Sequence, residues 1–361
     1  MLFNPAVVKL FIVQLDFWEQ QLPFEYPFTI SNGRTKTHQH TLMVRLSLGN
    51  WSGFGEAPAI VYYNVTVEAM MNTLQTHQKS IEKFALTDPE RFWHFLHHLL
   101  PNDPFLVCAL DMAAWDLWGQ MKKLSVHDLW NSEWIETTPT PICDYTLGID
   151  PIEKMVQKMK DHPWPIYKVK VGTDYDIEMI TALRQHTDKP LRVDANAGWT
   201  TEEALVKIPA LADLGVELVE QPLAKDNWEG MEQIKKQSSL PLFADESCVF
   251  ESDVAKCANY FHGINIKLTK CSGLTPALRM IKEAKSLGLK VMMGSMNESV
   301  IGSAAIAQFL PQLDFVDMDG PLLMTELNGR GLDFSFNQQN GCIAPLNAPG
   351  LGVQYQVPFK K

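Results

Sequence analysis

The chain has little of what marks nucleic-acid-binding, zinc-thiolate or membrane proteins. No Lys/Arg-rich run stands out, and 31 basic residues against 42 acidic ones leave a formal charge of −11. Nucleic acid and anionic membrane surfaces are therefore not expected partners, since both call for clustered positive charge. Six cysteines (Cys108, Cys143, Cys248, Cys257, Cys271, Cys342) are scattered, with no Cys-x-x-Cys pair and no histidine at zinc spacing. They read as reduced packing thiols. The N-terminus offers only the short apolar run Leu10-Phe11-Ile12-Val13, broken at once by Gln14 and Asp16, so neither a signal peptide nor a membrane span fits there. A cytoplasmic location is the default expectation.

What the chain does have is a regular beat. From about residue 140, β-prone runs recur with helical periodicity between them: Ile142–Thr146, Tyr167–Val171, Leu191–Asp194, Glu217–Glu220, Pro241–Asp245, Gly263–Lys267, Lys290–Gly294 and Phe315–Asp317. Their centres step by 23 to 26 residues. Eight strands, each followed by a linker long enough for a helix, predict an α/β fold of the (β/α) TIM-type barrel class over residues 136–330 rather than an open doubly wound sheet. Amphipathic helices are expected at Thr201–Leu214 and Leu274–Leu287. Residues 1–135 read as a separate α+β domain, with strands around Lys9–Leu15 and Leu42–Leu48 and helices from Val67 to Asn131. The Gly-, Pro- and Asn-rich segment 331–361 shows no helical pattern and is expected to leave the barrel.

Barrels of this class gather catalytic groups at the C-terminal ends of their strands, and charges fall there: Lys168 and Lys170, Asp194, Glu220, Asp245, Lys267, and Asp317 with Asp319. Alternation along a strand puts Lys168 and Lys170 on one face, and Asp317 and Asp319 on one face. A lysine-bearing strand is usually a solvated surface. In a parallel barrel covered on both sides, however, such charges are costly unless they meet partners. Asp194, Glu220 and Asp245 come from three consecutive strands, and hard oxygen donors so arranged suit magnesium. The competing reading is that some of them merely cap the following helix, as Asp245-Glu246-Ser247 could. Lysines on strands two and six flank the trio from opposite sides. A metal that neutralises an enediolate, together with a base on each face, is the equipment for moving a proton alpha to a carboxylate. Two opposed bases imply a racemase or epimerase.

These residues resemble the enolase superfamily, in particular its muconate-lactonizing subgroup and the dipeptide epimerases within it. The resemblance runs through Gly53–Pro58 (GFGEAP), Ala109–Gly119 (ALDMAAWDLWG), YKVKVG, RVDANAGW, VEQPL, ADES and Ile266–Gly273 (IKLTKCSG). It implies one magnesium ion held by Asp194, Glu220 and Asp245, with Lys170 and Lys267 as the bases. It further implies Lys168 against the substrate carboxylate and Asn196 and Glu246 in support. Residues 1–135 would cap the barrel, with a closing loop at 28–37, and the C-terminal segment would return towards that cap.

Asp317-Met318-Asp319-Gly320-Pro321 resembles the segment with which dipeptide epimerases hold the free ammonium of their substrate, and two carboxylates across the mouth from a metal do form a cation site. Ser295 to Glu298 resembles a contact to the substrate amide, and Thr146 one to its carboxylate. In the closing loop Arg34 or Lys36 would receive an acidic side chain. The expected substrate is thus a dipeptide of the L-Ala-D/L-Glu type, which implies peptidoglycan recycling, and the protein would be a possible homo-oligomer. The rival readings are an o-succinylbenzoate synthase or N-succinylamino acid racemase, which need no ammonium site, and a non-catalytic metabolite-binding barrel.

Overall fold

The computed structural model describes residues 12–29, 35–130, 140–333 and 343–357. It begins with an antiparallel sheet of β1 (Gln14–Thr29), β2 (Thr35–Leu48) and β3 (Trp51–Pro58) in that order. β3 escapes sequence reading because its eight residues include two glycines and a proline and no β-branched residue. Four helices follow: α1 (Val67–Lys83), α2 (Pro89–Leu99), α3 (Pro104–Lys122) and α4 (Val126–Trp130). Thr66 caps α1 by accepting from Ala69 N, and Asp88 caps α2 by accepting from Arg91 N with Pro89 in the first turn. α3 is buried continuously from Phe105 to Leu117, as befits a helix apolar on every side. Gly53 and Gly55 let β3 lie directly on its backbone, since a Cβ would fall 2.2 Å from the Ala113 carbonyl oxygen and 1.9 Å from that of Ala109.

The eight expected barrel strands are all present: β4 (Tyr145–Leu147), β5 (Tyr167–Lys170), β6 (Leu191–Asp194), β7 (Val216–Glu220), β8 (Leu242–Ala244), β9 (Gly263–Ile266), β10 (Lys290–Gly294) and β11 (Phe315–Asp317). They pair in parallel in chain order, and a parallel bridge from Cys143 to Val316 brings the first edge to the last. The connecting helices are α5 (Ile152–Asp161), α6 (Asp176–Arg184), α7 (Thr201–Asp213), α8 (Trp228–Gln237), α9 (Glu251–Tyr260), α10 (Leu268–Cys271), α11 (Leu274–Ser286) and α12 (Val300–Ala307). The regular alternation stops at the eighth strand. There Gly320–Leu322 form a 3-10 turn, and short strand pairs join Gly329–Arg330 to Gln354–Tyr355 and Leu332–Asp333 to Ala344–Pro345. No described helix is long and apolar enough to cross a membrane. The expected boundary at 135/136 falls outside the described residues.

Buried carboxylates tie the N-terminal layer to the barrel. Glu56 of β3 accepts from Ser299 N (3.1 Å), Ser299 Oγ (2.7 Å) and Gly302 N (2.6 Å) at the start of α12. Asp111 of α3 accepts from Thr275 N (3.0 Å) and Thr275 Oγ1 (2.8 Å) at the start of α11. Both meet the positive end of a helix dipole. Asp116 accepts from Phe54 N and Leu351 N, each at 2.9 Å, and so holds the C-terminal segment on α3.

Burial pushes Asp111 up to about 7 and Asp116 up to about 6, against their hydrogen bonds. A carboxyl whose folded pKa is raised stabilises the fold while protonated, and that contribution is lost as pH rises through the folded value. For Asp111 the window runs from about pH 4 to about pH 7, and the effect is at most about 4 kcal/mol at 1.36 kcal/mol per pH unit. Asp111→Asn should therefore flatten the fall in Tm across this range. A variant with the wild-type slope would contradict it.

Candidate active site

The parallel register sets the strand ends level: Lys170 pairs with Asp194, and Asp194 with Glu220. Along β5, Tyr167 and Val169 pack into the hydrophobic core, which leaves Lys168 and Lys170 on the opposite face. Asp245 follows β8, Lys267 follows β9 as the N-cap of α10, and Asp317 ends β11. Asp194, Glu220 and Asp245 are buried, and each offers an oxygen within 4.8 Å of the others. The trio expected from sequence is assembled.

Four buried ammonium groups face these carboxylates. Lys170 Nζ lies 2.6 Å from Asp194 Oδ2, and Lys267 Nζ lies 2.9 Å from Asp245 Oδ2. Lys168 Nζ reaches Asp317 Oδ2 (2.6 Å), Glu220 Oε2 (2.8 Å) and Asp194 Oδ2 (3.2 Å). Lys270 Nζ reaches Asp245 Oδ1 at 2.6 Å. β5 and β9 are four places apart in the eight-stranded ring, so Lys170 and Lys267 flank the carboxylates of β6, β7 and the β8 end. Burial opposes the charge on Lys267, but Asp245 and Glu220 outweigh it and hold its pKa above the usual lysine value. Burial also opposes the charge on Asp317, and Lys168 overcomes it to keep that carboxyl low. Asp319 is pushed up to about 7 by burial and then by Asp317.

A cavity of about 220 Å³ opens over this cluster. One wall carries Thr146, Lys170, Asn196, Asp245, Glu246, Lys267, Ser295, Asp317 and Asp319, all expected from sequence. Thr146 N donates to Asp319 Oδ2 (2.6 Å), and Ser295 N to the Asp317 carbonyl (2.8 Å). Asn196 N donates to Asp194 Oδ1 (3.0 Å), and its Nδ2 to Glu246 Oε1 (3.4 Å). Lys168 lies 2% exposed among three carboxylates, and Glu298 accepts from Met296 N; neither belongs to the cavity wall. Phe28, Lys36, Met296 and the turn Ile60–Tyr63 form the other side. Arg34 lies outside the described residues.

Sequence reading missed the 60–63 turn, Lys270, Gln221 and Asn265. Asn265 Nδ2 donates to Glu220 Oε1 (2.8 Å). Gln221 accepts from Asp245 N and Ser247 N while donating to Leu223 O and Ser247 Oγ, so one buried amide fixes the loop that carries Asp245. Gln221 stood in the quoted VEQPL segment, but nothing in a single sequence shows that an amide there is fully bonded.

The donor set fits a hard divalent cation. Four ammonium groups (Lys168, Lys170, Lys267, Lys270) meet six carboxyl groups (Asp194, Glu220, Asp245, Glu246, Asp317, Asp319); the carboxyls outnumber the ammonium groups by two, and a divalent ion would favour the ionised form of them all. The excess is felt locally: burial and then Asp245 and Asp194 push Glu246 up to about 8. Glu220 Oε2 and Glu246 Oε2 are buried and accept no hydrogen bond, although Lys168 Nζ stands close to the first.

The family described as enolase C-terminal domain-like matches residues 152–358. The chain belongs to the enolase superfamily. Among its superfamily relatives, the L-Ala-D/L-amino acid epimerase of Flavobacterium johnsoniae is 48% identical over 335 residues, covering 93% of this chain and 97% of that protein. The L-Ala-D/L-Glu epimerase of Bacteroides thetaiotaomicron is 35% identical, covering 94% of this chain and 88% of that one. A solved structure of a dipeptide epimerase from Cytophaga hutchinsonii, complexed with Mg and the dipeptide D-Ala-L-Val, is 25% identical and superimposes with a TM-score of 0.89 over 96% of this chain and 97% of that chain.

Proposed function

We propose that this enolase-superfamily protein is a magnesium-dependent dipeptide epimerase acting at the alpha carbon of the C-terminal residue of L-Ala-containing dipeptides. The observation that carries the reading is the placement of Lys170 and Lys267 on opposite sides of one carboxylate trio. Asp194, Glu220 and Asp245 hold the ion, with Asn196 and Glu246 in support. When bound there, magnesium supplies the positive charge that offsets charge developing on the substrate carboxylate. Lys170 takes the alpha proton from one face, and Lys267 returns a proton to the other. One of the two must begin each turnover neutral and the other protonated, and exchanging those states runs the reaction in reverse. In this reading the charge of Lys168, 2.8 Å from Glu220 and 3.2 Å from Asp194 though not on the cavity wall, attracts the substrate carboxylate. Asp317 and Asp319 receive the substrate ammonium, and the Ser295–Glu298 turn and Thr146 position its backbone.

In this reading Lys36 can pair with an acidic side chain, while Ile60, Val61 and Phe28 accept apolar ones, so the range is wider than Ala-Glu alone. The wider name of the 48% identical relative supports this. For the Ala-Glu case, a cytoplasmic role in peptidoglycan recycling follows as part of the proposal.

The experiment is to compare dipeptides having a free N-terminus with N-succinyl amino acids, in wild type, Asp319→Asn and Asp317→Asn/Asp319→Asn. The single variant leaves the Lys168–Asp317 pair intact. A buried ammonium deprived of its carboxylate costs about 3 to 5 kcal/mol, so dipeptide turnover by the double variant should fall about 10²- to 10⁴-fold. A wild-type preference for N-succinyl substrates would instead favour the racemase reading.

A further inference from the structure

Lys270 is buried with 0% side-chain exposure, and it has no place on the cavity wall. It sits one turn after Lys267 on α10. Its ammonium reaches Asp245 O (2.5 Å), Asp245 Oδ1 (2.6 Å), Cys248 O (3.0 Å) and Asn265 O (3.3 Å). Four acceptors for three hydrogens leave no donor over. They come from the β8 end, the loop after it and β9, so one side chain ties the Asp245 loop to the strand before Lys267. Asp245 is thereby divided. Oδ1 is held by Lys270, while Oδ2 faces Lys267 at 2.9 Å.

We propose that Lys270 is a positioning residue that restrains Asp245 to offering a single oxygen, and in doing so sets the preference of the site for magnesium over calcium. The inference rests on the magnesium site proposed above. Magnesium demands small, near-octahedral coordination from single carboxylate oxygens, whereas calcium accepts two oxygens of one carboxylate and more ligands. A carboxylate freed to turn and offer both oxygens favours the larger ion.

Charge alone makes a different prediction. An ammonium near a metal repels every divalent ion alike, so its removal should tighten magnesium and calcium together and leave their ratio unchanged.

The test is calorimetric titration of the metal-free, full-length protein with magnesium chloride and separately with calcium chloride, without substrate. Wild type, Lys270→Met and Lys270→Arg are compared, with circular dichroism confirming the fold. Should Lys270→Met fail to fold, Lys270→Arg keeps the charge but replaces three diverging donors by a planar fork, and still separates the two ideas. The expected result is a ratio Kd(Ca)/Kd(Mg) at least tenfold lower in each folded variant. An unchanged ratio in a folded variant overturns the role of Lys270 and leaves the metal site standing. Absence of magnesium binding by the wild type overturns both.

Discussion

Lys170→Ala and Lys267→Ala should each lower epimerisation by roughly 10⁴-fold, the upper end of what a general acid or base contributes. Inversion needs a proton removed on one face and delivered on the other, so neither lysine can substitute for its partner. Each variant keeps one working face. It should therefore still exchange the alpha proton of one epimer with solvent, and the two variants should differ in which epimer that is. Lys170 and Lys267 each bond one trio carboxylate, Asp194 and Asp245, but Asn196 N still holds Asp194, Asn265 holds Glu220 and Lys270 holds Asp245, so magnesium affinity should survive. Chiral chromatography of the product, with mass spectrometry for deuterium, reads both effects. Normal epimerisation by both variants would rule out a two-base reaction.

Exhaustive chelation should have an effect of similar size. Charge stabilisation by a metal accounts for several kcal/mol of a carbanion-forming barrier, which corresponds to roughly 10³-fold or more in rate. Glu220→Gln should behave likewise, because it removes one oxygen donor while its Asn265 contact can be kept. Magnesium should restore the chelated wild type in full and Glu220→Gln only in part. Activity that persists in chelator would remove the ion from the reaction.

The barrel was legible because its period is set by geometry. A strand of three to five residues, a helix and two loops fill about two dozen residues, and parallel pairing in chain order follows from right-handed crossovers. The charged strand ends were legible for a related reason: Lys168, Lys170, Asp194, Glu220 and Asp317 stand where a barrel interior tolerates charge only among partners. What could not be read were contacts between residues distant in sequence. Glu56 capping α12 across 243 positions, Asp111 capping α11, and Lys270 dividing Asp245 all depend on where the chain folds back. The turn Ile60–Tyr63 was missed because it reaches the cavity from outside the barrel, so no strand periodicity announces it. β3 was missed because its glycines serve helix packing instead of strand propensity.

Proton NMR in deuterated buffer, with magnesium and L-Ala-L-Glu or another L-Ala dipeptide, tests the two-face proton transfer most directly. The alpha-proton signal of the C-terminal residue should disappear while signals of the L,D diastereomer grow in, and the alanine alpha proton should remain. Loss of neither signal across a set of L-Ala dipeptides, with exchange confined to N-succinyl amino acids, would contradict it.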